Sequence, residues 1–302
     1  MMNATLPLRR FGQSDLLITP LCLGCAPLAS MPEVFYPVPE DQALAVVRAL
    51  LDSPINFLDT AAAYGDGESE RRIGTVLRER GGLPAGYVLA TKADRDLRTG
   101  DFSGEQTKRS VERSLQLLGV DHVQIVYLHD PEYATTPFEE IMAPGGAVDV
   151  LQRFKAKGII GSIGIAAGPI AMMLRYVETG AFDAVITHNR YTLLNRSAEP
   201  LLNQAAARGM AVVNAAPYGG GMLAKGPDAW GKYAYREASP ERVERVHRMM
   251  AICREYDVPL AAAALQFSQR DQRITSTIVG MTRPERVAQT LELAQQPIPD
   301  EI

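Results

Sequence analysis

Cysteine is scarce in this chain. Its 302 residues include three, Cys22, Cys25 and Cys253. An odd, sparse count excludes a disulfide framework and fits a reducing compartment. Cys22 and Cys25 form a C-x-x-C, but they sit in the apolar run Leu21-Cys22-Leu23-Gly24-Cys25-Ala26. There they read as small buried hydrophobes in a strand, with a redox pair as the alternative. No apolar run approaches the length of a membrane span. Residues 1–13 carry Arg9 and Arg10 but no apolar stretch fit for a secretory leader. No block of lysine or arginine is present, and 31 basic side chains face 35 acidic ones. That balance lacks the electrostatic footprint of a nucleic-acid binder. No linker rich in serine, glycine or proline divides the chain. The expectation is a single domain over 1–302, cytoplasmic, with no nucleic-acid or membrane partner. No interface stripe separates from the core, so the oligomeric state is unknown at this stage.

What the sequence does have is alternation. Short apolar, β-prone runs at 18–25, 55–59, 87–91, 124–128, 160–165, 184–187, 210–214 and 276–279 are each followed by a longer amphipathic stretch. The strand runs are apolar on both faces, as expected of a parallel sheet covered by helices. Helical patterns start near Glu40, Ser69, Ser103, Pro137, Gly168, Ala198, Ser239 and Pro259, with one more after Thr282. Ser103 has Gln106 three residues on, and Thr282 is followed by Pro284 and Glu285, a predicted capping box. Eight β/α units predict an α/β fold, a (β/α)8 TIM barrel with extra helices. A short N-terminal hairpin, Leu8-Arg9-Arg10-Phe11-Gly12 with Leu16-Leu17-Ile18, is placed to plug the bottom of the barrel. The competing doubly wound sheet calls for a G-x-G-x-x-G turn after an early strand, and the sequence has none.

A barrel puts its chemistry at the C-terminal ends of its strands. Three consecutive strand runs end in an ionisable residue: Asp59, Lys92 and His129. Tyr64 follows Asp59 by five positions in the next loop. Each has a structural reading on its own: a helix cap, a snorkelling lysine, a packed histidine. Together they put four proton-handling side chains on one rim. A free tyrosine hydroxyl has a pKa of about 10, too high for acid/base work near neutrality. A lysine cation beside it is expected to pull that value down. Asp59 would keep the lysine charged, and His129 would hold a substrate oxygen by a hydrogen bond. Such a tyrosine protonates an alkoxide as hydride arrives, or takes an alcohol proton as hydride leaves. No nucleophile–base pair is evident, and His122, His129, His188 and His247 lack a metal-ligand spacing.

The segments Asp59-Thr60-Ala61-Ala62-Ala63-Tyr64-Gly65, Ala90-Thr91-Lys92, Leu128-His129-Asp130-Pro131, Ile160-Gly161-Ser162-Ile163-Gly164-Ile165 and Val279-Gly280-Met281-Thr282-Arg283 resemble the aldo-keto reductase superfamily over nearly the whole chain. The resemblance implies a (β/α)8 barrel and NAD(P)(H)-dependent interconversion of alcohol and carbonyl. It implies Tyr64 as general acid/base, Lys92 and Asp59 as its tuners, and His129 as the group that orients substrate. Phe57-Leu58-Asp59-Thr60-Ala61, Tyr191-Thr192-Leu193-Leu194-Asn195-Arg196 and the stretch from Val213 through Pro217-Tyr218-Gly219-Gly220-Gly221-Met222-Leu223 look most like the aldose 1-dehydrogenase branch. That branch includes L-fucose (D-threo-aldose), L-galactose and pyridoxal dehydrogenases.

The cofactor half departs from the family pattern. Ala166 and Ala167 stand where a Ser-Asn pair usually grips the nicotinamide carboxamide. His188 and Asn189 are the candidates to replace it. Ala215 stands where a tyrosine usually stacks on the nicotinamide, and Tyr218 is the candidate substitute. Gly219-Gly220-Gly221 permits close approach of backbone to a phosphate. Gly24 and Leu223 complete the expected contacts on this side. The last βα junction, with Gly280, Thr282 and Arg286, is the expected adenosine-phosphate site, since a helix N-terminus favours anions. Arg286 matches a family arginine near the 2′-phosphate, with Arg283 as a second cation. Met281 replaces a lysine frequent in NADP-preferring members, and Thr290 a family asparagine. The cofactor is therefore NAD or NADP, with the balance toward NAD. The loop 226–238 holds Trp230, the only tryptophan, with Tyr233 and Tyr235. It is a candidate lid, with Trp230 contacting substrate alongside Tyr64 and His129.

Three functions compete. The first is an aldose 1-dehydrogenase oxidising a sugar such as L-fucose or L-galactose at its anomeric hydroxyl to a lactone. The second is a reductase or dehydrogenase of small aldehydes, pyridoxal included, with the same residues. The third, of another class, is a cofactor-sensing binding subunit.

Overall fold

In the computed structural model, residues 6–31 and 37–301 are described. The reading of segment 1–13 therefore falls, over 1–5, outside the described residues. The chain opens with an antiparallel hairpin, β1 (Arg9–Arg10) and β2 (Leu17–Ile18). Seven parallel strands follow: β3 (Leu21–Gly24), β4 (Phe57–Asp59), β5 (Val88–Ala93), β6 (Val123–His129), β7 (Ile160–Ala167), β8 (Ala184–His188) and β9 (Ala211–Ala215). A second small hairpin, β10 (Lys232–Tyr233) and β11 (Arg236–Glu237), precedes the last strand, β12 (Ser276–Gly280). β12 pairs with both β9 and β3 and closes an eight-stranded parallel barrel. This is the predicted (β/α)8 TIM barrel. All eight predicted runs are barrel strands, except that Ile18 belongs to the hairpin and the run from 18 splits there.

The helices are α1 (Glu40–Leu51), α2 (Glu68–Glu79), α3 (Gly104–Leu118), α4 (Phe138–Met142), α5 (Ala147–Ala156), α6 (Ile170–Glu178), α7 (Glu199–Ala207), α8 (Met222–Lys225), α9 (Pro240–Glu255), α10 (Leu260–Gln269) and α11 (Glu285–Gln295). Ser103 and Ser239 cap α3 and α9, their hydroxyls accepting from Gln106 N and Arg242 N. The Gln106 amide does not return to the cap but donates to the Asp94 carbonyl at 3.1 Å. The capping box predicted at Thr282 is not formed. α11 starts at Glu285 with Pro284 at its N-cap and no side-chain cap. The Thr282 carbonyl is instead taken by the Gln42 side chain. The single helix predicted from Pro137 is broken into α4 and α5 at Gly145 and Gly146. Gly145 is left-handed, and a Cβ on Gly146 would stand 2.2 Å from the Glu140 carbonyl.

The barrel interior is filled rather than open. Phe57, Val88, Ile125, Tyr127, Ile186, Val213 and Ile278 converge with Phe11 and Ile18 of the hairpin. Phe11 meets Phe57 edge to face at 6.4 Å, so the hairpin plugs the bottom as the sequence predicted. Cys22 lies in this interior and Cys25 in the outer core, both free and fully buried, where burial pushes their thiols well up. They behave as small hydrophobes. No helix among the described residues is long and apolar enough to cross a membrane.

Tyr127 fits the interior because β7 has a glycine facing it: a Cβ on Gly164 would lie 2.1 Å from the Tyr127 ring. Gly164→Ala is expected to lower unfolding free energy by about 1–3 kcal/mol through overpacking. The same change in a Tyr127→Leu background should be distinctly less damaging. Urea denaturation of the two pairs checks this, and an equal loss in both backgrounds would contradict it.

Candidate active site

Three adjacent strands deliver the candidate acid/base residues to one end of the barrel. β4 ends at Asp59, β5 carries Lys92 one residue before its end, and β6 ends at His129. The Lys92 ammonium donates to Asp59 Oδ2 at 2.6 Å, to the Thr60 carbonyl at 2.7 Å and to the Tyr64 hydroxyl at 3.0 Å. Its three hydrogens are thus all engaged. Tyr64 reaches it because the loop after β4 folds back tightly: Tyr64 N donates to Ala61 O, and Ser69 N to Tyr64 O. Gly65 makes that turn in the left-handed region, with no room for a Cβ against the Ala29 carbonyl 2.9 Å away. The Tyr64 ring stands edge-on to His129, centroids 5.8 Å apart. All four residues expected to act together are together.

Lys92 and Asp59 are each 2% exposed. Burial works against the Lys92 cation, but Asp59 and Tyr64 outweigh it and hold its pKa above that of a free lysine. Burial lifts the Asp59 carboxyl against the pull of Lys92. Tyr64 corrects an expectation. Lys92 does favour its phenolate, but burial of the hydroxyl is the larger effect, and the Asp59 charge adds to it. The Tyr64 pKa is raised, not lowered, and the residue holds its proton at neutral pH. It stands as a donor.

The sequence reading missed Asp94. Its Oδ1 lies 2.7 Å from His129 Nδ1, and its Oδ2 accepts from Ala63 N at 2.8 Å. Its own N–H donates to Ser110 Oγ. β5 runs two residues past the predicted end at Thr91, to Ala93, and Asp94 follows it directly. The signal was the two-residue spacing: extended chain puts Lys92 and Asp94 on the same face. Glu70 was also missed. It is fully buried behind β5, accepts from Thr91 Oγ1 at 2.5 Å, and burial lifts its carboxyl to about 7.

The expected cofactor residues gather at the ends of the opposite strands. His188 ends β8 and Ala215 ends β9, and the two are register partners. Asn189, just beyond, is left-handed at φ 56° and buried, and its Oδ1 has no hydrogen-bond partner among the described residues. The Tyr218 hydroxyl is likewise buried and unpartnered among them. Burial holds His188 below the usual histidine pKa, hence neutral. Gly24 and Gly280 pair across the closure of the barrel. Gly219, Gly220 and Gly221 all have positive φ. They also serve packing, since a Cβ on Gly219 would stand 2.2 Å from the Tyr233 ring. Leu223 is fully buried, and its N–H donates to Tyr218 O. The candidate lid folds as the β10–β11 hairpin, tied down by Tyr233 to Thr192 at 2.8 Å and by Ala234 N to Gly219 O. Trp230 packs on Gly221, with the Lys225 ammonium 4.1 Å from its ring. Arg286 is exposed near the start of α11, and its charge acts on both Lys225 and Tyr218, while Thr282 lies just before that helix. Lys225 was not singled out from sequence. No cluster of three or more His, Cys, Asp or Glu among the described residues could hold a metal.

Residues 20–302 match the sequence pattern of the Aldo/keto reductase family. A D-threo-aldose 1-dehydrogenase from a Pseudomonas species is 32% identical, covering 90% of this chain and 88% of its own. Pyridoxal 4-dehydrogenase of Microbacterium luteolum is 31% identical, over 97% of this chain and 94% of its own. L-Galactose dehydrogenase of Arabidopsis thaliana is 31% identical, over 94% and 86%. The holo form of an aldo-keto reductase from Bacillus halodurans superposes with a TM-score of 0.77 at 24% identity, over 98% of this chain and 93% of that one.

The buried Lys92–Asp59 pair generates a test. Lys92→Met leaves Asp59 buried without its counter-charge and is expected to cost about 3–5 kcal/mol of stability. In an Asp59→Leu background the same change should cost much less. Denaturant titration of the four proteins measures the coupling, and additive losses would show that the two charges are not one constraint.

Proposed function

The chain belongs to the aldo/keto reductase family, and from that premise we propose that it is an aldose 1-dehydrogenase, oxidising the anomeric hydroxyl of a sugar such as L-fucose or L-galactose to the lactone. It is an NAD(P)-dependent oxidoreductase, as its family and dehydrogenase relatives establish. The observation that carries the reading is the Lys92 ammonium held between Asp59 and Tyr64 beside His129. Two of the three relatives above are named as acting on aldoses. Asp130, left-handed at φ 45°, brings its carboxylate 3.7 Å from His129 Nε2. A carboxylate there suits a ligand with several hydroxyls.

The residues present fit a nicotinamide dinucleotide. The orphaned Asn189 Oδ1 offers an acceptor to a carboxamide N–H, and the orphaned Tyr218 hydroxyl faces the same need for a partner. Burial and the Arg286 charge together lower the Lys225 pKa, and two cations near each other would suit a cofactor phosphate. When bound, the cofactor accepts or supplies the hydride. Met281, where the family pattern often has lysine, is buried in the core and presents no cation, which favours NAD. In this reading Tyr64 passes its proton to or from the reacting oxygen, Lys92 and Asp59 set the charge around it, and His129 orients the substrate. The buried free thiols accord with a reducing, cytoplasmic setting.

A second reading is reduction of an aldehyde such as pyridoxal by the same residues. It is favoured by Tyr64 holding its proton, ready for an alkoxide, and pyridoxal is the compound named in one relative, a pyridoxal 4-dehydrogenase.

A panel of L-fucose, L-galactose and D-arabinose with NAD+ and NADP+ separately, and of pyridoxal with each oxidised and each reduced cofactor, followed by the rise or fall in absorbance of the reduced nicotinamide, tests both readings. Lactone-forming turnover of a sugar supports the first, and activity on pyridoxal alone supports the second. No turnover of any alcohol or carbonyl defeats both. Tyr64→Phe is expected to bind cofactor nearly unchanged while turnover falls by roughly two to four orders of magnitude. Undiminished turnover would remove Tyr64 from the proton path.

A further inference from the structure

We propose that Asp94 is a positioning residue that fixes the tautomer of His129, so that the neutral ring offers substrate a hydrogen-bond acceptor and the protonated ring a donor. The proposal rests on the reading of His129 as the group facing substrate. An ionised carboxylate only accepts hydrogen bonds. Asp94 Oδ1 lies 2.7 Å from His129 Nδ1 and is 3% exposed, so Nδ1 carries the hydrogen. Nε2, on the far side of the ring toward Asp130, is then bare when the imidazole is neutral. It accepts from an alcohol or hemiacetal hydroxyl. Once protonated, the same nitrogen donates to a carbonyl oxygen. Without Asp94 the ring would be free to take the other tautomer, which presents a donor at every pH.

The second Asp94 oxygen makes this more than a side-chain pair. Oδ2 accepts from Ala63 N at 2.8 Å, one residue before Tyr64. A single carboxylate therefore ties the His129 ring to the backbone that carries Tyr64. The anchor is itself held, because Asp94 N donates to Ser110 Oγ and Asp94 O accepts from the Gln106 amide.

The switch is set by all the charges around the ring. Lys92 faces it from β5 and Asp94 from just beyond that strand, Asp59 from β4, Tyr64 from the following loop, Asp130 and Glu132 from beyond β6, and His188 from β8. Burial works to discharge His129, but Asp94 and Asp130 outweigh it and hold its pKa above the usual histidine value. As pH rises through that raised pKa, His129 changes from donor to acceptor. The alcohol should then bind better and the carbonyl worse. Asp94→Asn keeps the shape and can still accept from Ala63 N. Its amide N–H2, however, donates to Nδ1 and moves the ring hydrogen to Nε2. The variant also loses a negative charge, so its His129 pKa should fall.

The first measurement needs no substrate. Nitrogen-15 NMR of the His129 ring, assigned by its disappearance in His129→Asn, should show Nδ1 protonated and Nε2 bare at high pH in the wild-type protein. Asp94→Asn should show the reverse. The second is KM against pH in both directions. In Asp94→Asn, KM for the alcohol at high pH should rise roughly three- to tenfold, the loss of one hydrogen bond, and the carbonyl KM should lose its pH dependence. A neutral wild-type ring that carries its hydrogen on Nε2 at high pH overturns the proposal even if Asp94→Asn fails to fold, as does an Asp94→Asn protein with unchanged ring signals and KM profiles. Absence of turnover in the wild type would instead defeat the oxidoreductase reading and leave the tautomer measurement standing.

Discussion

The buried ammonium of Lys92 is the constraint on which the rest of the site depends. A cation at 2% exposure is tolerable only if all its hydrogens are taken. Asp59, the Thr60 carbonyl and the Tyr64 hydroxyl take them. Each acceptor comes from β4 or the loop after it, so satisfying one charge fixes how that loop leaves the barrel. The loop in turn requires Gly65 to turn in the left-handed region, and it presents Ala63 N to Asp94. From there the ring of His129 is set. The chain of dependence runs from one desolvated charge to the orientation of both groups expected to touch substrate.

The barrel makes this possible by dividing the labour between its ends. The bottom is closed by Phe11 and Ile18 of the hairpin, packed into an apolar interior. At the top, strands end in irregular backbone. Asp130 after β6, Asn189 after β8 and Ala216 after β9 all have positive φ without being glycine. Such residues persist only where surrounding structure holds them, and they gather where side chains must be aimed. The candidate acid/base residues lie on β4 to β6 and in the loop after β4, and the candidate cofactor residues at the ends of β3, β8, β9 and β12 or just beyond. The two halves meet across the mouth of the barrel.

Much of this was legible in the linear chain. Eight apolar runs separated by amphipathic stretches are a periodic signal, and periodicity survives small errors of boundary. Asp59, Lys92 and His129 stood out because each interrupts an apolar run at its end, where a buried charge needs a purpose. The errors lie where local rules compete with tertiary contacts. The pattern at Thr282, Pro284 and Glu285 has the composition of a cap, yet the Thr282 carbonyl is claimed by Gln42 from α1. Gln106 has the spacing of a capping-box partner, yet it reaches back to Asp94. The triglycine was read for phosphate, and packing against Tyr233 also demands it.

Sequence by itself determined the architecture and pointed to Asp59, Tyr64, Lys92 and His129, which the fold brings together, because both follow from the order of apolar and polar residues along the chain. It could not determine the protonation of Tyr64, because the sign depends on whether burial or the Lys92 cation dominates at one hydroxyl. Nor could it reveal that Asp94 grips His129, a contact between residues 35 positions apart that exists only once β5 and β6 lie side by side. Distances between strands, and the desolvation they impose, belong to the folded molecule alone.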